Sequence, residues 1–418
     1  MKKVSLLLVL VMILSLGLFG CGGDSGADNG GSGGDAAAGV KVEGDVIKIG
    51  VFEPTTGENG GGGMQEVLGA RYANQVAPTV DINGTTYTIQ LEEVDNQSDK
   101  AAAVTAAQSL LSKGVVAVLG SYGSGVSIAA GPTFRDSEVP AVGCSCTNPQ
   151  VTLGNDFYFR ACFLDPFQGS VMANYAYDAG FKNAAVISQN GDDYSTGLAD
   201  FFKNSFTALG GTVVADVTYQ TNESDFNALL TSVKGKNPDV IFVPSSINTA
   251  TLILPQITAN GIDAQVLASD TWENAAIISK DAVGVVFSTF FDEKDESNPV
   301  AKEFVEGFKE YLNSDPNNIK LNANTDTVAA VSALGYDAYM AVYHALESLD
   351  GTEGDITSVA IRDALKTVKF DGVTGSIAFD ENGDAIKDTA YLKTVTEESV
   401  TSKEFQFVKT QSVSDLEQ

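Results

Sequence analysis

Leu119-Gly-Ser-Tyr-Gly-Ser-Gly-Val-Ser-Ile-Ala-Ala-Gly-Pro132, followed by Val139-Pro-Ala-Val-Gly-Cys-Ser-Cys-Thr-Asn-Pro149, decides how the chain folds. Val115 to Leu119 is a short apolar, β-branched run of the kind that forms a buried parallel strand. It breaks at Gly120 into small residues and continues as a helical segment, Val126 to Asp136. In open α/β sheets such a strand–turn–helix places the turn at the carboxyl ends of the strands, where ligands bind. A helix beginning near Ser124 would aim free N–H groups and a positive dipole end at an anion. Ala141 to Gly143 repeats the pattern, its mouth carrying Ser145 and Thr147 on one side and Cys144 and Cys146 on the other. Two hydroxyl-bearing mouths side by side suit a small carboxylate.

Outward from this stretch the same rhythm runs in both directions. Before it come strand Ile47 to Phe52, a helix carrying Met64, Val67, Leu68 and Tyr72, strand Tyr87 to Val94 and helix Lys100 to Ser112. After Phe157 to Arg160, a second βα series extends through helix Gln168 to Ala179 and strand Asn183 to Ser188 as far as strand Gln265 to Ser269. Gly284 to Phe290 is a further strand. Helices are expected over Val300 to Leu312, Thr325 to Leu349 and Asp355 to Thr367, with short strands beyond Gly375. Alternation of this kind implies parallel sheets with helices on both faces, here in two α/β lobes.

The N-terminus carries Lys2 and Lys3, then an apolar run from Leu6 to Phe19 that is too short to span a bilayer and reads as a secretory signal. Leu18-Phe-Gly-Cys21 is similar to a bacterial lipobox, so Cys21 is expected to be lipidated once residues 1–20 are removed. Residues 21–45, rich in Gly, Ser and Asp, read as a flexible tether. The net charge of −29 argues against nucleic acid or an anionic membrane face as a partner. In an exported chain Cys162 could bridge Cys144 or Cys146, or the thiols could stay free; the sequence leaves this open. No CxxC spacing or nearby His makes them a metal site.

Gly60 to Gly63 lacks the Gly-Lys-Ser/Thr ending of a phosphate loop, and Gly120 to Gly125 is not the dinucleotide fingerprint. Asp380-Glu-Asn-Gly-Asp384 has its glycine in the wrong place for a calcium loop and reads as a hairpin turn. The single histidine, His344, falls within a helical segment. Without a nucleophile elbow or a His-based pair, the chain is expected to be a binder with no cofactor and no metal, rather than an enzyme. An exported, carboxylate-based hydrolase is the remote alternative.

Ile47-Lys-Ile-Gly-Val-Phe-Glu-Pro-Thr-Thr-Gly57, the Val-Leu-Gly turn leading to Ser124, Val139-Pro-Ala-Val with Thr147 and Pro149, Asp193-Tyr194 with Gly197, and Phe379-Asp380 with Gly383-Asp384 occur in one order along almost the whole exported chain. In that order they resemble the substrate-binding proteins of branched-chain amino-acid type ABC transporters. The resemblance implies a type I periplasmic-binding-protein fold, with two doubly wound lobes joined by three crossovers. Lobe 1 would span 46–164 and 292–372, and lobe 2 would span 166–290 and 374–410. It further implies that Ser124 and Thr147 hold a ligand carboxylate, that the Ser145 carbonyl and Asp270 hold an α-ammonium, and that Tyr194 closes over the ligand. Such a protein would be a monomer that delivers an amino acid, branched-chain or larger and apolar or aromatic, to a membrane permease. A sensor of the same fold for an amide, aromatic acid or purine is the alternative. Gly62 stands where the family places an aromatic residue, and Ser246 is small, so the pocket is expected to be enlarged on that side with Trp272 as an aromatic wall.

Overall fold

The computed structural model describes residues 39–412. The expected signal, Cys21 and most of the tether lie outside them.

The first sheet is built around β1 (Val46–Glu53), flanked in parallel by β3 (Thr85–Asp95) and β4 (Ala117–Leu119). Parallel strands covered on both faces must be apolar on both. Ile47, Ile49 and Val51 enter one core cluster and Phe52 another, as the two-residue period of a strand requires. β5 (Ala141–Gly143) and β6 (Tyr158–Arg160) extend the sheet beyond β4. On the far edge β2 (Thr79–Ile82) pairs antiparallel with β3 through Asn83 (φ 52°) and Gly84 (φ 75°), giving the order β2-β3-β1-β4-β5-β6. Helices α1 (Gly60–Val76), α2 (Lys100–Ser112) and α3 (Ser124–Asp136) connect these strands.

The chain then crosses into α4 (Asp165–Asp178) and a second sheet. Its elements are β7 (Asn183–Gln189), α5 (Asp193–Ala208), β8 (Thr212–Tyr219), α6 (Asn227–Lys234), β9 (Val240–Phe242), α7 (Ile247–Ala259), β10 (Gln265–Ala268) and β11 (Val286–Thr289). After β11 the chain returns to the first lobe with α8 (Pro299–Ser314), α9 (Pro316–Leu321), α10 (Ala330–Glu347) and α11 (Ser358–Leu365). A hairpin, β12 (Lys369–Gly372) and β13 (Gly375–Ala378), leads to β14 (Thr389–Thr394), α12 (Glu397–Ser402) and β15 (Gln406–Ser412). The second sheet runs β15-β14-β11-β10-β9-β7-β8, with β14 and β15 antiparallel to the rest.

α10 lies directly on α1. A Cβ on Gly69 would stand 2.0 Å from the Ser332 carbonyl oxygen, and one on Gly335 would stand 2.3 Å from that of Glu66. Backbone packed on backbone needs glycine at both points, and it fixes the position of Glu66.

Two sequence expectations change, and one left open is settled. The tether ends before residue 45, because Val40 and Val42 pack on the core while Lys41 and Glu43 face outward, an edge-strand alternation. Val42 N donates to Ile356 O at 2.9 Å, and Val40 O accepts from Ser358 N at 2.8 Å. The helix expected from Thr325 starts at Ala330, because Asn322 Nδ2 donates to the carbonyls of Thr325 and Thr327 and holds that segment as a loop. Of the alternatives for the thiols, Cys144, Cys146 and Cys162 are free and buried. The stretch from Asp380 to Asp384 forms a turn, with Asp380 Oδ1 accepting from the N–H groups of Asn382 and Asp384. Among the described residues no helix is long and apolar enough to cross a membrane.

Candidate ligand-binding cleft

A narrow cleft lies between the lobes. From the first lobe it is lined by the loop after β1 (Glu58 and Asn59), the turn after β4 (Tyr122 to Ser124) and Ser145 beyond β5. From the second lobe come Gln189, Asp192, Tyr194, Ser246 and Thr271, all just past the carboxyl ends of β7, β9 and β10 or on the helices they feed. That is where an open parallel sheet collects its ligand residues.

Of the residues expected to touch ligand, Ser124, Ser145 and Tyr194 line this cleft. Ser124 is the first residue of α3; its Oγ accepts from Asn148 N at 3.2 Å, tying the two turns together. Asp270 is buried one hydrogen bond behind Tyr194. Its Oδ1 accepts from Tyr194 Oη at 2.7 Å and from Gln168 Nε2 at 2.6 Å, while no side chain donates to Oδ2. Burial pushes this carboxyl up to about 6, against the pull of those two donors. Thr147 is fully buried, its hydroxyl without a partner in the protein. Nearby Asp165 N donates to Thr147 O at 3.0 Å, and both Asp165 carboxylate oxygens are likewise unpartnered. Burial raises Asp165 to about 8.

Trp272 is not in the cleft wall. It is fully buried in the core of the second lobe, with Nε1 donating to Ser245 O at 3.2 Å and to Ser245 Oγ at 3.1 Å. A buried indole needs a partner for its N–H, and Ser245 provides it from within the same lobe. Nor does Gly62 leave open space. A Cβ there would lie 2.3 Å from Tyr122 Cε2, so the tyrosine ring fills the volume that a side chain at 62 would take. Ser246 caps α7, accepting from Thr249 N at 3.2 Å, and lines the cleft at the same time.

The sequence reading missed a carboxyl pair beneath this wall. Glu53 ends β1 and accepts from Tyr122 N at 2.7 Å; Glu66 on α1 accepts from Ser145 Oγ. Both are fully buried, and Glu53 Oε1 and Glu66 Oε2 have no other partner. Burial pushes both carboxyls up, and the neighbouring Glu53 raises Glu66 further. Held neutral by burial, the pair supports Tyr122 and Ser145 without buried charge. Helical phase carried the signal, since Glu66 precedes the buried Ala70 by four residues and Ala73 by seven.

The lobes are bridged around the cleft. Lys100 Nζ pairs with Asp193 Oδ2 at 2.8 Å and donates to Gly191 O at 3.2 Å; Gln189 Nε2 donates to Glu58 Oε2 at 3.0 Å; Asn274 Nδ2 donates to Gln65 Oε1 at 3.1 Å. Glu273 of the second lobe accepts from Ala330 N at the start of α10 at 3.2 Å and pairs with the buried Lys393 at 2.6 Å. His344 lies away from the cleft on α10, paired with Glu347 at 2.7 Å.

This architecture has known counterparts. A leucine-binding protein LivK from Thermotoga maritima superposes with a TM-score of 0.78 at 34% identity, over 88% of this chain and 99% of that one. The branched-chain amino-acid transporter substrate-binding protein LivJ from Streptococcus pneumoniae, in complex with isoleucine, superposes with a TM-score of 0.74 at 30% identity, over 87% of this chain and 99% of its own. A Leu/Ile/Val-binding protein homolog from Brucella abortus is 29% identical over 352 residues, covering 81% of this chain and 87% of the relative. The profile of the periplasmic binding proteins matches residues 46–399. With two α/β lobes, a cleft at their strand ends and a family match along most of its length, the chain belongs to the periplasmic binding protein family, among the substrate-binding proteins of branched-chain amino-acid type ABC transporters.

Proposed function

We propose that this protein is a lipid-anchored receptor that holds an amino acid between its lobes and hands it to an ABC permease in the membrane. The family is one of extracytoplasmic solute receptors rather than an enzyme class. The observation that carries the amino-acid reading is Asp270, a buried carboxylate with both side-chain hydrogen bonds on Oδ1 and Oδ2 left for a donor. Across from it, Ser124 at the N-terminus of α3 offers the hydroxyl and N–H donors that a ligand carboxylate needs. Thr147, buried beside Asp165, has a hydroxyl without a partner among the described residues. Tyr194 moves with the second lobe and covers the ligand as the lobes close. The purified chain is expected to saturate one-to-one with an amino acid and release it unchanged, as calorimetry and mass spectrometry of the released ligand would show. Recovery of a chemically altered ligand would overturn the reading.

The anchor is Cys21, placed before a tether rich in glycine and serine. Cys21→Ser is expected to move the protein from the membrane fraction to the soluble fraction while leaving its ligand affinity unchanged. Incorporation of labelled fatty acid into that variant would show that lipid is attached elsewhere.

A further inference from the structure

Once Ser124, Ser145 and Tyr194 are assigned to the charged ends of an amino acid, the side chain of the ligand meets chiefly Glu58, Asn59, Tyr122, Gln189, Asp192 and Ser246. None of these is aliphatic, and none is Lys or Arg. The aromatic wall expected from Trp272 is turned into its own core, and Tyr122 lines the cleft with its ring packed over Gly62. What remains is a wall of acceptors with capacity to spare. Asp192 caps α5 through Oδ1, which accepts from Ser195 N at 2.7 Å, and no donor among the described residues reaches Oδ2. Glu58 Oε2 takes the Gln189 amide at 3.0 Å, but Oε1 has only a long contact of 3.4 Å from Asn222 N. The Asn59 side-chain amide makes no hydrogen bond to the protein. The one lysine that joins the lobes here, Lys100, is committed to Asp193 and the Gly191 carbonyl.

A leucine or isoleucine side chain closed into this wall would strip water from Glu58, Asp192 and Asn59 and return no hydrogen bond. A polar site rejects an analogue that lacks the matching group because its own buried groups are left unpaired. We propose that the cleft selects an amino acid whose side chain ends in N–H donors, a carboxamide, ammonium or guanidinium, with Glu58 and Asp192 as the acceptors that read it. The proposal rests on the amino-acid reading above and sets this chain apart from its relative that carries isoleucine.

The test is calorimetric titration of the full chain, unfolded and refolded to strip bound ligand, with L-glutamine, L-asparagine, L-lysine, L-arginine, L-alanine, L-threonine, L-leucine, L-isoleucine, L-valine and L-phenylalanine. One of the first four is expected to bind at least about tenfold more tightly than any of the other six. Glutamine or asparagine in first place identifies a neutral amide; lysine or arginine identifies a cation. First place for any of the other six overturns the proposal and leaves the amino-acid reading standing, whereas binding of none of the ten overturns both. Asp192→Ser, which keeps a capping oxygen for α5, is expected to weaken the preferred ligand by about tenfold or more. Unchanged affinity in that folded variant would overturn the role given to Asp192.

Discussion

Asp270→Ala is expected to weaken amino-acid binding by roughly 30-fold to several thousandfold, since truncating one member of a buried charge pair costs about 2–5 kcal/mol. The carboxylate is held in place from two elements, Tyr194 on α5 and Gln168 on α4, so its removal leaves an ammonium facing two neutral donors. Protonation should act in the same direction as the mutation. With the carboxyl pushed up to about 6 in the empty cleft, affinity should fall as the pH drops below that value and level off above it, because an ammonium pairs only with the ionised form. For the empty protein the sign is opposite. A carboxyl raised from 3.8 to about 6 favours folding in its neutral form, so its contribution is complete below 3.8 and is lost as pH rises through about 6. Calorimetry on folded Asp270→Ala between pH 5 and 8 checks both expectations, and an unchanged affinity would mean a ligand without an amino group.

The largest loss of stability should come from Asp384→Ala, at about 3–5 kcal/mol, the usual cost of leaving one partner of a buried ion pair alone. Arg160 is fully buried, and its Nε donates to Asp384 Oδ1 at 2.5 Å. The rest of the guanidinium fastens the segment that carries Thr147: Nη1 donates to the carbonyls of Cys146 and Asn148, each at 2.7 Å, and Nη2 donates to Thr152 Oγ1 at 2.9 Å. Urea denaturation should show the lost stability, and ligand affinity should fall with it as that segment loosens. A melt indistinguishable from the parent would mean that water reaches the guanidinium.

Periodicity carried most of the architecture because burial on both faces of a parallel sheet forces apolar β-branched runs, and these are hard to mistake in β1, β4, β5 and β7. The edge hairpin escaped although Asn83-Gly84 is a strong turn signal, since Thr79 to Ile82 is only half buried and reads as polar. The false start of α10 has a cause that local propensity does not contain: Asn322 reaches forward to two carbonyls. At the cleft, Ser124 and Ser145 could be placed by position along strand and helix, and Tyr194 by the resemblance to the family. What could not be placed was partnership across the fold. Nothing near Gly62 in the chain says that Tyr122, sixty residues on, will cover it, and nothing near Trp272 says that Ser245 will draw it inward.

The entry of the chain into the folded body has a mechanical side. Val40 and Val42 are bonded to Ile356 and Ser358 beside α11, elements that pack with α10 and α1 on the first lobe. A pull on the preceding chain therefore enters through the first lobe and not through the bonds from Lys100, Glu58 or Asn274 that span the cleft. In the anchored form proposed above, the second lobe would be the one left free to swing, and tension on the preceding chain would neither open nor shut the jaw.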